Sequence, residues 1–238
     1  MEYGRIRGNE MESKVGLEIY GRRVYRYTYN LINSNMYIIL GMETAMMIDC
    51  IQNQEALDLL KIHNIKRLYV ILTHEHYDHI QGVNFYRNYF ECLVMGSEDA
   101  LKAIGDPKKN LAAYLESIVL FKNLPVGWRD TYNIPADYRC IGDVVLQDNQ
   151  VYEWETMRFR IVYTPGHSRG SICIDIDGRY VFTGDSLIPG ETVILRLPGG
   201  SKKDYRLITR PYLEHIDNNS VIFPGHGACT IRGLLQID

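Results

Sequence analysis

The stretch Thr73-His74-Glu75-His76-Tyr77-Asp78-His79 puts three imidazoles and two carboxylates into seven residues, a density that asks for a chemical reason. It follows the apolar run LYVIL directly. In an extended strand, side chains two apart share a face, so His74 and His76 project together. A turn into a helix then lets Asp78 and His79 reach the same cavity from another direction. Imidazole nitrogen and carboxylate oxygen are donors that zinc, iron and manganese accept. At this chain's own His and Asp frequencies, H-x-H-x-D-H arises by chance in roughly one such sequence in several thousand. The competing reading, a solvated polar loop, must absorb that improbability.

Three later segments share one design: an apolar strand ends in a glycine-bearing turn that carries a residue able to ligate a metal. IVYTPGHS delivers His167, YVFTGDS delivers Asp185 and VIFPGHG delivers His226. Glycine beside such a residue lets the backbone turn sharply and come close to an ion. Any one of these segments is as readily a structural turn, but four strand-end sites in one chain are hard to explain that way. The remaining histidines, His63 and His215, lie in or near helical patterns and read as ordinary surface or core residues.

Taken in order, H-x-H-x-D-H, T-P-G-H-S, T-G-D-S and P-G-H-G resemble the metallo-β-lactamase superfamily, and within it the glyoxalase II branch of thioester hydrolases. The likeness runs from the first paired strands to the final PGHG. It implies one metal site from His74, His76 and His167, a second from Asp78, His79 and His226, and a bridging role for Asp185. The implied cofactors are two divalent metal ions, zinc first, with iron or manganese open. The implied reaction is attack by a metal-bridging hydroxide on a thioester or related ester carbonyl. Asp78 could also take up the proton as the intermediate collapses, so Asp78 and Asp185 are the catalytic candidates. Asp49, at the end of TAMMIDC, matches a position that supports the ligand loop in the family, for instance by a hydrogen bond to a ligand histidine. Ser171, in PGHSRGS, is a candidate for shaping the pocket.

The likeness has departures. Many relatives near glyoxalase II carry Ile-Gly-Arg-Thr-Asp after the bridging aspartate, where this chain has GETVILRLPGGSKKDY. The family's arginine position falls on Ile194, with Arg196 two residues later. The sequence continues for only twelve residues after His226, so a substrate other than a glutathione thioester is open. Lys202, Lys203, Arg206 and Arg210 could meet an acidic substrate, although a solvated helix face is the simpler reading. A lactonase on the same dinuclear site and a mononuclear iron persulfide dioxygenase-like enzyme are the alternatives. A metal-binding scaffold without turnover is the non-enzyme alternative.

The elements that must position these residues read as strands and helices in alternation. RVYRYTYNLI, NMYIILG, TAMMIDC, RLYVIL and CLVMG read as strands, with a helix over QEALDLLKIHNI, one through Phe85 and Tyr86, and another opening at Ser97. VVLQ, QVYEW, MRFRIVYTPG, SICIDID and RYVFTGD follow as a second strand cluster, with Asp177-Gly178 as a two-residue hairpin signal. A helix over DYRLITRPYLEHI and a last strand SVIFPGHG close the pattern. The order fits an α/β fold, a four-layer αββα sandwich of two mixed sheets with helices outside, as one domain over residues 1–238. The separation of 88 positions from His79 to His167 exceeds what a compact member needs, and implies a helical insertion at about 104–138.

Composition bounds the rest. A chain that is 46% hydrophobic and 23% charged belongs with globular domains, not disordered ones. The net charge of −3 and the lack of a basic arm count against a nucleic-acid partner. No apolar run reaches the length of a membrane span, and the N-terminus lacks the apolar centre of a signal peptide. The expectation is a cytoplasmic protein acting on a small molecule. Five scattered cysteines, odd in number and without C-x-x-C, read as ordinary thiols, mostly buried.

Overall fold

The computed structural model describes residues 17–120, 128, 132 and 134–237. Two sheets form its centre. The first holds β1 (Leu17–Ile19), β2 (Arg22–Tyr29), β3 (Ser34–Leu40), β4 (Thr44–Ile48), β5 (Arg67–Ile71), β6 (Glu91–Gly96) and β7 (Val144–Val145), in that spatial order. Strands β1 to β4 pair antiparallel, and β4 to β7 run parallel. The second sheet has the order β13 (Thr230–Ile231), β12 (Val221–Pro224), β11 (Tyr180–Gly184), β10 (Ile172–Ile176), β9 (Met157–Tyr163), β8 (Val151–Trp154). Only β11 and β12 are parallel in it.

Side-chain alternation builds the layers. On β3, Tyr37 and Ile39 face the second sheet, while Met36 and Ile38 face the helix Gln54–Ile62 through Ala56, Leu57 and Leu60. On β11 and β12, Phe182 and Phe223 point into the space between the sheets, and Val181 and Ile222 point outward to Leu213 of the helix Arg210–His215. Tyr37, Phe182 and Phe223 meet there, with the two phenylalanines stacked at 4.4 Å between ring centres. Burying such rings contributes the largest apolar areas of the core. The four-layer αββα sandwich read from the sequence is the architecture found.

Several local readings need correction. The strand expected over RVYRYTYNLI stops at Tyr29. Asn33 lies at a φ of 62°, and a turn bonds Ile32 N and Asn33 N to Tyr29 O. Leu31 and Ile32 are apolar because they pack on Tyr77 and the helix Ala112–Val119, not because they alternate in a sheet. Strand β7 joins the first sheet beside β6, not the second cluster. The hairpin at Asp177-Gly178 has both residues at positive φ, 53° and 66°. Its ladder pairs Ile176 with Tyr180, so the loop holds three residues. The helix expected through Phe85 and Tyr86 is instead two short turns, Tyr77–Ile80 and Val83–Tyr86. Gly82 sits between them, where a Cβ would come within 2.6 Å of the Ile51 carbonyl carbon.

Ser97 caps the helix Glu98–Ala103 as expected, its Oγ accepting from Ala100 N. The last long helix is not regular. Lys202–Asp204 and Arg210–His215 flank a π-helical turn at Tyr205–Thr209, where Arg210 N bonds back to Tyr205 O. Pro211 has no N–H for the ladder, and the wider turn accommodates the break. Of the expected insertion, residues 121–127, 129–131 and 133 lie outside the described residues. Within it, buried Asn110 accepts Tyr77 N–H on its backbone oxygen, so the segment anchors the first turn of the helix bearing Asp78 and His79.

Candidate metal centre

All four strand-end segments converge. His74 and His76 follow β5, His167 follows β9, Asp185 follows β11 and His226 follows β12. Asp78 and His79 enter from the turn Tyr77–Ile80. His76 Nδ1 lies 3.0 Å from His167 Nε2, and His79 Nε2 lies 3.4 Å from His226 Nε2. Asp78 Oδ2 is 3.2 Å from His79 Nε2 and 3.4 Å from His226 Nε2. Asp185 reaches both groups: its Oδ2 is 3.4 Å from His167 Nε2 and 3.3 Å from His226 Nε2. His74, His76 and His167 form one set able to hold a metal, and Asp78, His79 and His226 another. His63 and His215 stand apart on exposed helix ends.

Hydrogen bonds behind the rings fix which nitrogen four of the five imidazoles present. His167 Nδ1 and His226 Nδ1 face the carbonyls of Ile194 (2.9 Å) and Ile32 (3.0 Å). A carbonyl only accepts, so each Nδ1 carries a proton and each Nε2 is the atom turned to the centre. Asp49 does the same for His79, with its Oδ2 2.7 Å from His79 Nδ1. Asp49 also accepts Thr73 N on Oδ1 (2.7 Å) and Thr73 Oγ1 on Oδ2 (2.8 Å). The Thr73 hydroxyl has then spent its proton, and its oxygen accepts from His74 Nδ1 at 3.0 Å. Asp49 is itself at a φ of 57°, which aims its side chain back under the ligand loop.

The electrostatics suit a cation. Among the described residues, His74 Nε2, His76 Nε2 and Asp185 Oδ1 are buried with no hydrogen-bond partner. Orphaned buried atoms of this kind call for an ion or water. Burial, with His79 and His76 nearby, pushes the His74 imidazole well below its ordinary value, and burial takes His76 down to about 3. Burial would raise Asp78 and Asp185, but the neighbouring His79 and His226 hold both well below the usual carboxylate range. Burial would lower His226, yet Asp185 and Asp78 push it up to about 10. Unpaired imidazole lone pairs beside ionised carboxylates are the donor set of a divalent transition-metal site. The residues fit the group.

Glycine makes the crowding possible. A Cβ on Gly225 would lie 2.1 Å from Asp185 Oδ1 and 3.0 Å from His79 Cε1. Gly184 takes a φ of 49°, and a Cβ there would strike Thr73 Oγ1 at 2.5 Å.

A model of the metallo-beta-lactamase superfamily matches residues 29–226. The chain belongs to that superfamily. Acyl-coenzyme A thioesterase MBLAC2 of Gallus gallus is 25% identical over 210 residues, 81% of this chain and 72% of that protein. Hydroxyacylglutathione hydrolase GloC of Haemophilus influenzae is 28% identical over 186 residues, 77% of this chain and 76% of that protein. The crystal structure of TTHA1623 in a di-iron-bound form is similar with a TM-score of 0.70 at 23% identity, over 88% of this chain and 96% of that one. That last likeness is one of fold.

This metallo-β-lactamase-superfamily chain also uses residues that the sequence reading passed over. Ser34 Oγ donates to Asp78 O at 3.1 Å, and Asn35 Nδ2 donates to Gly227 O at 2.8 Å. Tyr37 donates to Pro224 O at 2.7 Å, so β3 pins both faces of the His226 turn. None carries a motif; an Asn inside an apolar strand was the only signal. Ser171 is buried under the His167 turn, bonded to Ser168. It braces that turn from a buried position. Lys202, Lys203 and Arg206 are exposed, and Arg210 pairs with Glu214 at 2.7 Å, as a solvated helix face would have it. Cys50, Cys140 and Cys173 are buried free thiols, and Cys92 and Cys229 are half-buried. Among the described residues no helix is long and apolar enough to cross a membrane.

Proposed function

We propose that this chain is a metal-dependent hydrolase that cleaves a thioester or related ester bond of a small molecule. One observation carries the reading: seven side chains from four strand ends and one helical turn meet as two ligating sets with Asp185 between them. In this reading His74, His76 and His167 hold one cation, and Asp78, His79 and His226 hold the second. Asp185 faces both. The ions, zinc or iron, supply Lewis-acid polarisation of a carbonyl and a water ionised near neutral pH.

The chain's own groups do the rest. Ile194 O, Ile32 O, Asp49 and Thr73 orient His167, His226, His79 and His74, so that their Nε2 atoms point inward. Asp78 stays ionised because His79 and His226 outweigh the effect of burial. In this reading it accepts a proton during turnover. The names of the two relatives, an acyl-coenzyme A thioesterase and a hydroxyacylglutathione hydrolase, favour thioesters over lactones.

The test is a panel of acyl-coenzyme A and acyl-glutathione thioesters beside homoserine lactones, run on protein of measured metal content. Thioester turnover with two ions per chain is expected. Preferential lactone opening would shift the substrate class. One iron per chain with oxygen uptake would replace hydrolysis by oxygenation. Metal without turnover on any substrate would leave a scaffold.

A further inference from the structure

One buried carboxylate takes no part in this chemistry. Glu75 stands between His74 and His76 and is 4% exposed. Its carboxylate reaches beneath the turn that bears His167, where Ser168 Oγ donates to Oε2 at 2.8 Å. The backbone N–H groups of Gly170 and of Glu75 itself also face it. Among the described residues it has no ion-pair partner, so these neutral donors are what hold it.

The arrangement is directional. Ser168 gives its hydroxyl proton to Glu75, which leaves its oxygen to accept from Ser171 Oγ at 2.9 Å. Ser171 Oγ in turn accepts Ser168 N–H at 3.2 Å. Gly170 has no room for a side chain: a Cβ would lie 2.5 Å from Glu75 Oε2 and 2.6 Å from Ala100 N. On the other side, Ser97 Oγ donates to Gly170 O at 2.7 Å. The His167 turn is thus clamped between Glu75 and the cap of the helix Glu98–Ala103.

We propose that Glu75 is a positioning residue: its carboxylate locks the His167 turn onto the segment carrying His74 and His76, and so sets the geometry of the three-histidine site. The proposal rests on the metal-site reading above. A buried carboxylate with no cation partner carries a desolvation penalty that an apolar residue would avoid. Its position directly between two candidate ligands, bonded to the residue after a third, gives that carboxylate a placement role. Metal ligands tolerate only about 0.5 Å of error. Partners behind a ligand commonly change metal affinity by about 10–100-fold when removed.

Binding of Zn2+ and Co2+ to the full chain, by competition with a chromophoric chelator, tests this. The visible spectrum of the Co2+ form reads coordination geometry, and the thermal midpoint of chelator-treated protein controls for folding. His226→Ala disables the second set and so assigns the remaining binding event to His74, His76 and His167. Glu75→Ala should weaken that event by about 10–100-fold and shift the Co2+ bands, leaving the other event unchanged. Glu75→Gln keeps an oxygen for Ser168 and should stay close to wild type. Ser168→Ala should reproduce Glu75→Ala, with the double variant adding little; it carries the test if Glu75→Ala does not fold. Unchanged affinities, or equal weakening of both events with a lowered midpoint, would overturn the proposal. A wild-type chain that takes up neither ion would overturn the metal-site reading itself, a separate result.

Discussion

Asp49 serves both candidate ligating sets with one side chain. It accepts from His79, from Thr73 N–H and from the Thr73 hydroxyl, and through that hydroxyl it orients His74. It therefore sets one imidazole of each ligating set without standing in either position assigned to a ligand. Asp49→Ala leaves a buried N–H, a hydroxyl and an imidazole without an acceptor, and each lost partner costs about 1–3 kcal/mol. We expect a lower thermal midpoint and metal affinity reduced by about 10–100-fold at both sites, measured by chelator competition. Asp185→Asn differs in kind. The amide keeps the volume but removes the charge that faces both sets. Hydrolysis should be abolished while circular dichroism still shows a folded chain.

At the scale of the element, the turns after the strands matter more than the strands. The turn after β12 runs so close to the centre that Gly225 has Asp185 Oδ1, Gly184 C and His79 Cε1 where its side chain would be. Gly225→Ala must displace Asp185, His79 or the turn itself. Overpacking of this kind costs about 1–3 kcal/mol, and the displaced groups are candidate ligands. The variant should lose metal affinity out of proportion to its loss of stability, seen by comparing urea unfolding of chelated protein with metal titration. Equal affinity to wild type would show that the turn can shift freely. The strand β3 plays the complementary part, since Ser34 holds Asp78 at the end of its own sheet, and Asn35 and Tyr37 hold the His226 turn of the opposite sheet.

For the whole molecule, the candidate centre lies where the ends of both sheets meet, with candidate ligands contributed from residue 74 to residue 226. A cation bound there ties the first sheet to the second. It binds the folded chain and not the unfolded one, so it must add stability by mass action. At a free Zn2+ concentration of about 1,000 times Kd the gain is about 4 kcal/mol. Chelation should lower the thermal midpoint, and added Zn2+ should restore it; a midpoint indifferent to both would argue against ligands drawn from two sheets.

Much of this was legible in the residues alone. H-x-H-x-D-H, TPGHS, TGDS and PGHG are local patterns, and strand alternation is a short-range consequence of backbone geometry, so the sandwich and the candidate ligands could be read directly. The acceptors behind the ligands could not. Ile32 O and Ile194 O are backbone carbonyls that any residue type would supply, and only packing decides which carbonyl faces which ring. Ser34, Asn35 and Glu75 likewise became visible through partners between 44 and 192 residues distant. The apolar run at residues 31–32 was misread for the same reason, because its burial comes from a helix far along the chain. What tertiary structure alone decided was the direction in which each donor points, since hydrogen bonds between remote segments exist only once the core has brought those segments together.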